Sequence, residues 1–391
     1  MENLLIAMIA GLLMLLASMT SVELGVSVAL IEISLGVIAG NFLGLSSPPW
    51  MDFLASFGSI VLTFLAGAEV DPRVMTERLK ENVLIGTVSF AAPFLGAWLF
   101  CAWVLGWTTP AAQIAGVALS TTSLAVVYAV LVETGLTHTT LGKIIMASTF
   151  VTDFGTALAL AALFIRPTWW LVPFVGVSVL VVWTMVGLQP WFFARYGQRV
   201  IEPEIKGAFA ALLVLMFFAE RAQSHAVLPA FILGLAVARI FHLHPELQRR
   251  FRVIAFGLLT PFFFLKGGMH VSLGLVWANL GLLLLLFGVK QVTKFAAVYP
   301  LACRYVPADA MFTTLLMSTG LTFGTISSLY GLNAGILDQA QFSVVVTAVV
   351  ASAIIPTVIA QRWFSPPSPP TPAGVAARSG AGTLGREAGD G

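Results

Sequence analysis

Residues 142–164 read GKIIMASTFVTDFGTALALAALF. At about 1.5 Å of rise per residue, the run is long enough to cross the roughly 30 Å hydrocarbon core of a bilayer. Asp153 sits near its middle. A bare charge in hydrocarbon costs several kcal/mol, so the stretch is either no membrane span or a span whose carboxylate has a task. The rest of the chain decides between these. Of 391 residues, 58% are hydrophobic and only 10% charged, against about 25% charged in a soluble domain. Apolar runs recur from Leu4 to Ala360, each bounded by charge or by Pro, Gly and Asn. The roughly ten-residue alternating segments of a membrane β-barrel are absent.

Reading charges and breakers along the chain predicts an all-α polytopic membrane protein with thirteen transmembrane helices, at 3–19, 22–40, 52–70, 82–106, 110–133, 139–165, 168–188, 203–220, 225–240, 251–270, 273–300, 309–330 and 335–361. Odd parity puts the termini on opposite faces. Thirteen Lys and Arg residues between Arg73 and Arg362 then fall on one face, and only Arg166, Arg221 and Lys266 on the other. By the positive-inside rule the rich face is cytoplasmic, so the N-terminus is expected outside and the C-terminus inside, as in a multi-pass protein of the cell inner membrane. The first span, from Leu4 to Ser18, lacks a basic leader and is read as a retained helix. Residues 1–364 form the membrane domain. Residues 365–391, rich in Pro and Gly, are expected to be a disordered cytoplasmic tail with no nucleotide-binding domain attached.

The net charge of +2 is spread over short loops and points to no nucleic-acid partner. Cys101 and Cys303 lie in or beside different spans without metal-ligand spacing, and no cofactor is expected.

Around Asp153 stand Ser148, Thr149, Thr152 and Thr156. The bland reading is a packing carboxylate bonded to those hydroxyls. The functional one is a carboxylate for which a proton and a metal ion compete. Lys290 and Lys294 lie one turn apart in the span 273–300; Lys294, followed by Phe295 and two alanines, reads as buried, and Lys290 as nearer solvent. Glu32, Glu69 and Glu220 read as boundary or packing residues.

Two spans are expected to be interrupted. In 110–133, Ser120, Thr121, Thr122 and Ser123 are consecutive hydroxyl residues that compete with the helical ladder. In 309–330, Gly320 and Gly324 flank Leu321, Thr322 and Phe323 and permit a second break. For both, small-residue helix packing is the plainer alternative. A broken helix in each half is, however, the mark of an inverted-repeat secondary transporter whose half-helix ends meet near the midplane. Asp153 and Lys294 are available to neutralise those ends.

The strings LTFLAGAEVDPR, ALSTTSLAVVYAVLVETGL, GKIIMASTFVTDFGTALAL, HAVLPAFILGLAVAR, TPFFFLKGGMHVSL, VTKFAAVYPLA and STGLTFGTISSLYG, in this order, resemble the second branch of the monovalent cation:proton antiporter superfamily, which includes bacterial sodium/proton antiporters and potassium-efflux proteins. The resemblance covers residues 1 to about 362. It implies secondary active exchange of a monovalent cation, sodium or alternatively potassium or lithium, for protons, in an inverted-repeat fold with two crossed discontinuous helices. It implies ion and proton binding at Asp153, which matches the family's transport aspartate, with Thr152. Thr121 and Thr122 match the unwound stretch that crosses the second break at Gly320 to Gly324, and Lys294 matches a charge-balancing, membrane-embedded lysine. It also implies a homodimer among lipids, with scaffold helices at about 3–70 and 203–270. Mobile core helices lie at about 82–165 and 273–361, a linking helix at about 168–188, and the core works as an elevator. One departure stands out: relatives often carry two adjacent aspartates, and here the first is Thr152. Lys294 must then find another acceptor, such as Asp153 itself, or act as the competing proton carrier.

Other classes fit less well. A sodium-coupled organic-anion symporter needs a second cation site and a polar cavity, a channel needs a filter loop, and an intramembrane enzyme needs a nucleophile–base pair or metal cluster. His138, His225, His242, His244 and His270 form no such motif.

Overall fold

The computed structural model describes residues 2–24, 27–70, 78–137, 139–164, 168–196, 202–222, 224 and 226–366. Of the tail expected at 365–391, residues 367–391 lie outside them, as do the basic residues Arg73, Arg166 and Arg199. Among the described residues every regular element is helical. In chain order these are α1 (Glu2–Leu24), α2 (Val28–Phe42), α3 (Pro49–Ala68), α4 (Leu79–Leu99), α5 (Thr109–Ser120), α6 (Leu124–Glu133), α7 (Thr140–Leu163), α8 (Leu171–Tyr196) and α9 (Pro203–Arg221). After them come α10 (Val227–Leu243), α11 (Pro245–Ile254), α12 (Thr260–Met269), α13 (Leu273–Ala278), α14 (Leu280–Tyr305), α15 (Ala310–Met317), α16 (Thr322–Asn333) and α17 (Gln339–Trp363). Proline opens the first turn of α3, α5, α9 and α11, where its missing N–H has no partner to lose. Asp338 caps α17 and exchanges bonds with Gln341 in a capping box.

Nine helices among the described residues are long and apolar enough to cross a membrane. The sequence predicts thirteen spans, and the difference has physical causes. Spans 22–40 and 225–240 form shorter apolar helices. Span 203–220 becomes α9, which carries Glu204, Lys206, Glu220 and Arg221. Span 309–330 is divided between α15 and α16. The span expected at 251–270 starts earlier, at Pro245, and runs through a π turn, Ala255–Leu259, into α12. The one expected at 273–300 opens with the short α13 and restarts at Leu280.

Two packing groups organise the helices. In the first, α3 lies on α10 and α12, and α2 on α12. Phe251 knits this group together, with ring centroids 5.1 Å from both Phe64 and Phe209. In the second, α4 packs on α5, α7 and α14, while α14 meets α15 and α17. The helix α8 contacts α9 and α10 and turns Val172, Val179 and Trp183 outward, as α1 does Leu4, Met8 and Leu15. In lipid such apolar exterior is the expected surface. Helix association there relies on close backbone approach, and Gly36 of α2 and Gly268 of α12 supply it: a methyl on Gly268 would collide with the Ile33 carbonyl and lie 2.9 Å from the Gly36 Cα.

Overpacking of this kind costs about 1–3 kcal/mol. Gly268→Ala should therefore lower the melting temperature of the detergent-solubilised protein by several degrees. Gly274→Ala, which meets nothing within 4 Å, should leave it unchanged; equal melting for both variants would contradict the close crossing.

Candidate functional site

The two breaks form where the sequence places hydroxyls. Helix α5 stops at Ser120, and Thr121 turns extended at φ −66°, ψ 152°. The Ser120 hydroxyl donates to the Val117 carbonyl at 2.8 Å and that of Thr121 to the Ala118 carbonyl at 3.1 Å. These side chains thus satisfy carbonyls that the lost helical amides leave open. Between α15 and α16, Ser318 donates to the Thr314 carbonyl at 2.7 Å and Thr319 to that of Leu316 at 2.7 Å. Helix α16 begins at Thr322, so the second break is Ser318–Leu321 and Gly324 lies inside the first turn of α16. There its role is close approach: a Cβ would stand 2.9 Å from the Ala118 carbonyl oxygen. The interrupted helices cross in space, joined by the Thr122 hydroxyl donating to the Met317 carbonyl at 2.8 Å.

Both lysines of α14 reach this crossing. The Lys294 Nζ donates to Ser89 Oγ at 2.8 Å and to Thr122 Oγ1 at 3.0 Å. The acceptors left open by Thr152 are therefore hydroxyls, one on α4 and one in the first break. Lys290, read from the sequence as nearer solvent, is fully buried and its Nζ has no hydrogen-bond partner. It occupies the space over Gly320, where an added Cβ would collide with Nζ and lie 3.0 Å from Thr121 Oγ1. The carboxyl ends of α5 and α15 converge here, and their partial negative charge favours nearby cations.

Asp153 is placed differently. Its residue is 1% exposed, and neither carboxylate oxygen has a hydrogen-bond partner. Three of the four neighbouring hydroxyls are spent on their own helix: Thr149 donates to Ile145, Thr152 to Thr149 and Thr156 to Thr152, each to a backbone carbonyl at 2.7–2.9 Å, while Ser148 Oγ is buried and bonds neither the helix nor the carboxylate. A carboxylate held by packing hydroxyls is thereby excluded for this conformation. Asp153 instead lines a cavity of about 280 Å³, with Leu62, Leu65 and Ala66 of α3, Leu124, Ala125 and Tyr128 of α6, and Thr322 and Phe323 of α16. Glu69 and Arg252, 18% and 36% exposed at their side chains, also line it. The cavity thus runs from a wet mouth at this ion pair to a dry end at Asp153.

A second cavity of about 560 Å³ lies further along, lined by Asp52, Ser59, Phe263, Ile326 and Tyr330 among others, and does not reach Asp153. On α16, Phe323 lines the first and Ile326 the second, so the barrier between them is about one helical turn, or 5 Å, thick. Phe231 of α10 packs beside this stretch, its ring centroid 6.4 Å from that of Phe323 and 6.1 Å from that of Phe154.

The structure thus gathers Thr121, Thr122, Lys294 and Gly320 at the crossing and puts Asp153 at the cavity end. Thr152, Thr121 and Thr122 do not line that cavity. Sequence reasoning undervalued Lys290, Ser89 and the Glu69–Arg252 pair. Among the described residues no group of three His, Cys, Asp or Glu side chains is set to hold a metal.

Comparison with known proteins agrees with this architecture. A model of the transmembrane sodium/hydrogen exchanger family matches residues 5–365. The chain is similar to a probable Na+/H+ antiporter 3 of Methanocaldococcus jannaschii, at 27% identity over 84% of this chain and 89% of the relative. It is also similar to the Na+/H+ antiporter NhaS4 of Synechocystis, at 26% identity over 86% and 91%. In fold it resembles the sodium proton antiporter MjNhaP1 of Methanocaldococcus jannaschii, with a TM-score of 0.69 and 13% identity, covering 94% of this chain and all of the other.

The crossing makes a specific demand on Gly320. Gly320→Ala drives a methyl against Lys290 and Thr121, and should lower the melting temperature by several degrees. Lys290→Ala in the same chain should restore most of that loss, because it empties the space the methyl needs. A Gly320→Ala variant as stable as the parent would remove Lys290 from this position.

Proposed function

The chain belongs to the sodium/hydrogen exchanger family, and we propose that its exchange of a monovalent cation for protons runs through Asp153, with sodium the favoured cation and potassium the alternative. The observation that carries this assignment is the buried, unpartnered Asp153 carboxylate at the dry end of a cavity of about 280 Å³. A proton and a desolvated cation can each cancel its charge, and only one does so at a time. In the proposed site Thr152, Thr121 and Thr122, which stand outside the cavity lining in this conformation, offer a cation the oxygen lone pairs that their own bonds leave, Thr122 having given one to Lys294. Water completes the shell while the cavity is open. Lys294, held by Ser89 and Thr122, balances the helix ends as a fixed charge.

In this reading α1 to α3 with α9 to α12 form the scaffold, α4 to α7 with α13 to α17 form a mobile core, and α8 links them. The two packing groups support that division. Thirteen crossings follow when α2, α9, α10 and the α15–α16 pair are added to the nine long helices. The basic face lies in the cytoplasm, with the N-terminus outside and the C-terminus inside. The mouth at Arg252 is then cytoplasmic, and the conformation is inward-open. Raising the core past the Phe231 barrier would expose Asp153 to the opposite cavity, an elevator form of alternating access. The protein works as a homodimer in the inner membrane.

Everted vesicles holding a pH-sensitive dye, challenged in turn with sodium, lithium and potassium, identify the cation by its dequenching response. Asp153→Asn keeps side-chain size but neither titrates nor offers a negative charge, and should lose the response at least a hundredfold while remaining folded. Exchange near the parental rate in this variant would take Asp153 out of the pathway.

A single exchangeable carboxylate also fixes stoichiometry. Loaded with either a proton or a monovalent cation the site has the same charge, so exchange is one for one and electrically silent. Displacing one net charge through 100 mV is worth about 2.3 kcal/mol, which would leave a visible voltage dependence. Proteoliposomes at zero and at large negative potential should show equal initial rates; a cation-dependent current that reverses with the combined gradient would require a second proton carrier.

A further inference from the structure

A cation that reaches Asp153 must exchange hydration water for protein oxygens, and most of the cavity wall has none to give. The side chains of Leu62, Leu65, Leu124, Phe256 and Phe323 are apolar. Among the described residues that line the cavity, only Glu69, Tyr128, Asp153 and Thr322 carry a side-chain oxygen. Glu69 and Tyr128 belong to the mouth: Glu69 bonds Arg252, and the Tyr128 ring centroid lies 5.9 Å from the Arg252 guanidinium carbon. Thr322 is left as the neutral oxygen at the dry end. It is 9% exposed. The residues that follow Asp153 and Thr322 in sequence, Phe154 and Phe323, both pack on Phe231, at ring-centroid distances of 6.1 and 6.4 Å, and their helices α7 and α16 touch. The helix break also keeps the hydroxyl available. Further along α16, Thr325, Ser327 and Ser328 each donate to the carbonyl four residues earlier at 2.7–2.8 Å. Thr322 opens the helix, and the four residues before it are the interruption itself, so no carbonyl of a preceding helical turn lies under its hydroxyl.

We propose that Thr322 is a ligand of the transported cation, its hydroxyl oxygen replacing a water of the hydration shell beside the Asp153 carboxylate. A proton and a cation both neutralise Asp153, but a neutral oxygen next to it favours the cation, because a contact with a charged partner is roughly twice as strong as one with a neutral carboxylic acid. Thr322 therefore tilts the competition at Asp153 toward the cation and lowers its apparent KM. Unlike Thr121, Thr122 and Thr152, it lines the cavity in the conformation seen here. This inference rests on the assignment of Asp153 as the ion site reached through this cavity. Its signature is a change in cation affinity that follows the hydroxyl and not the shape of the side chain.

The test combines dequenching in everted vesicles with melting of the purified protein, both titrated with the chloride salt of the cation that the dequenching assay identifies. Thr322→Val keeps the branched shape and loses the oxygen. It should raise the apparent KM about tenfold, with kcat at saturating cation within about twofold of the parent. Thr322→Ala, which loses the hydroxyl without filling its space, should show the same rise, so the result does not depend on how valine packs. Thr322→Ser keeps the hydroxyl and should stay within about twofold of the parent in both constants. In the purified Val and Ala variants the cation concentration that gives half of the melting shift should rise by the same factor as KM, with the cation-free melting temperature unchanged. A KM within twofold of the parent in both variants, a Ser variant as impaired as the Val variant, or loss of folded protein in both Val and Ala would overturn the assignment. The last two outcomes make Thr322 a packing residue. Asp153→Asn keeps the two readings apart, and its melting temperature should not respond to the cation. Exchange surviving in it defeats the ion site itself, whereas a silent Asp153→Asn beside an unmoved KM in the Thr322 variants defeats only the role of Thr322.

Discussion

The hydrogen-bond chain from Lys294 through Thr122 to the Met317 carbonyl joins three elements at the point where two helices are interrupted. Hydrocarbon offers no water to satisfy opened backbone groups, so a break inside the membrane survives only where protein groups take over the lost bonds. Ser120, Thr121, Ser318 and Thr319 do this locally by bonding carbonyls of the turn before them. Thr122 does it across the crossing, and Lys294 adds a formal charge where two carboxyl ends meet. Remove this arrangement and the crossing beside α6 and α16 loses both its link from one broken helix to the other and its compensating charge.

The same accounting explains why Asp153 stands apart. Four hydroxyl residues, Ser148, Thr149, Thr152 and Thr156, lie within one or two turns of it on α7, yet those of Thr149, Thr152 and Thr156 are bound to carbonyls of their own helix. Those hydroxyls are thereby engaged, and the Asp153 carboxylate, whose residue is part of the cavity lining, keeps both oxygens free of hydrogen bonds. The lysines are arranged in the opposite sense. Lys294 is anchored by two hydroxyls, and Lys290 is packed over Gly320, so the cationic side of the site is built into the crossing while the anionic side faces the cavity.

Much of this was legible in the sequence because hydrocarbon punishes the relevant residues. A midspan Asp153, four consecutive hydroxyl residues from Ser120 and a lysine followed by Phe295 stand out against apolar surroundings. What escaped notice depends on direction or on distant pairing. Nothing in the residues next to Lys290 marks it as buried; only the packing of α14 on α4 and α15 does. The direction of the Thr152 hydroxyl, toward Thr149, is a rotamer choice that composition does not encode. Glu69 looked like a loop boundary because Arg252, its partner, is 183 residues away. Gly324 looked like a hinge because glycine permits both a break and a close approach, and the Ala118 carbonyl decides for the second.

Obligatory coupling in the proposed cycle follows from the apolar wall that this geometry puts around Asp153. When the core carries Asp153 past Leu62, Leu65 and Phe231, the site leaves water for surroundings in which an uncompensated charge costs several kcal/mol. Taking about 4 kcal/mol for that cost, and tenfold for every 1.4 kcal/mol, transit of the bare carboxylate is suppressed nearly a thousandfold. A bound proton or a bound monovalent cation removes the charge and with it the penalty. Two loaded forms can therefore cross and the empty form does so rarely. Exchange results from a desolvation barrier acting on one carboxylate, with no mechanical linkage between the two substrates beyond their competition for it.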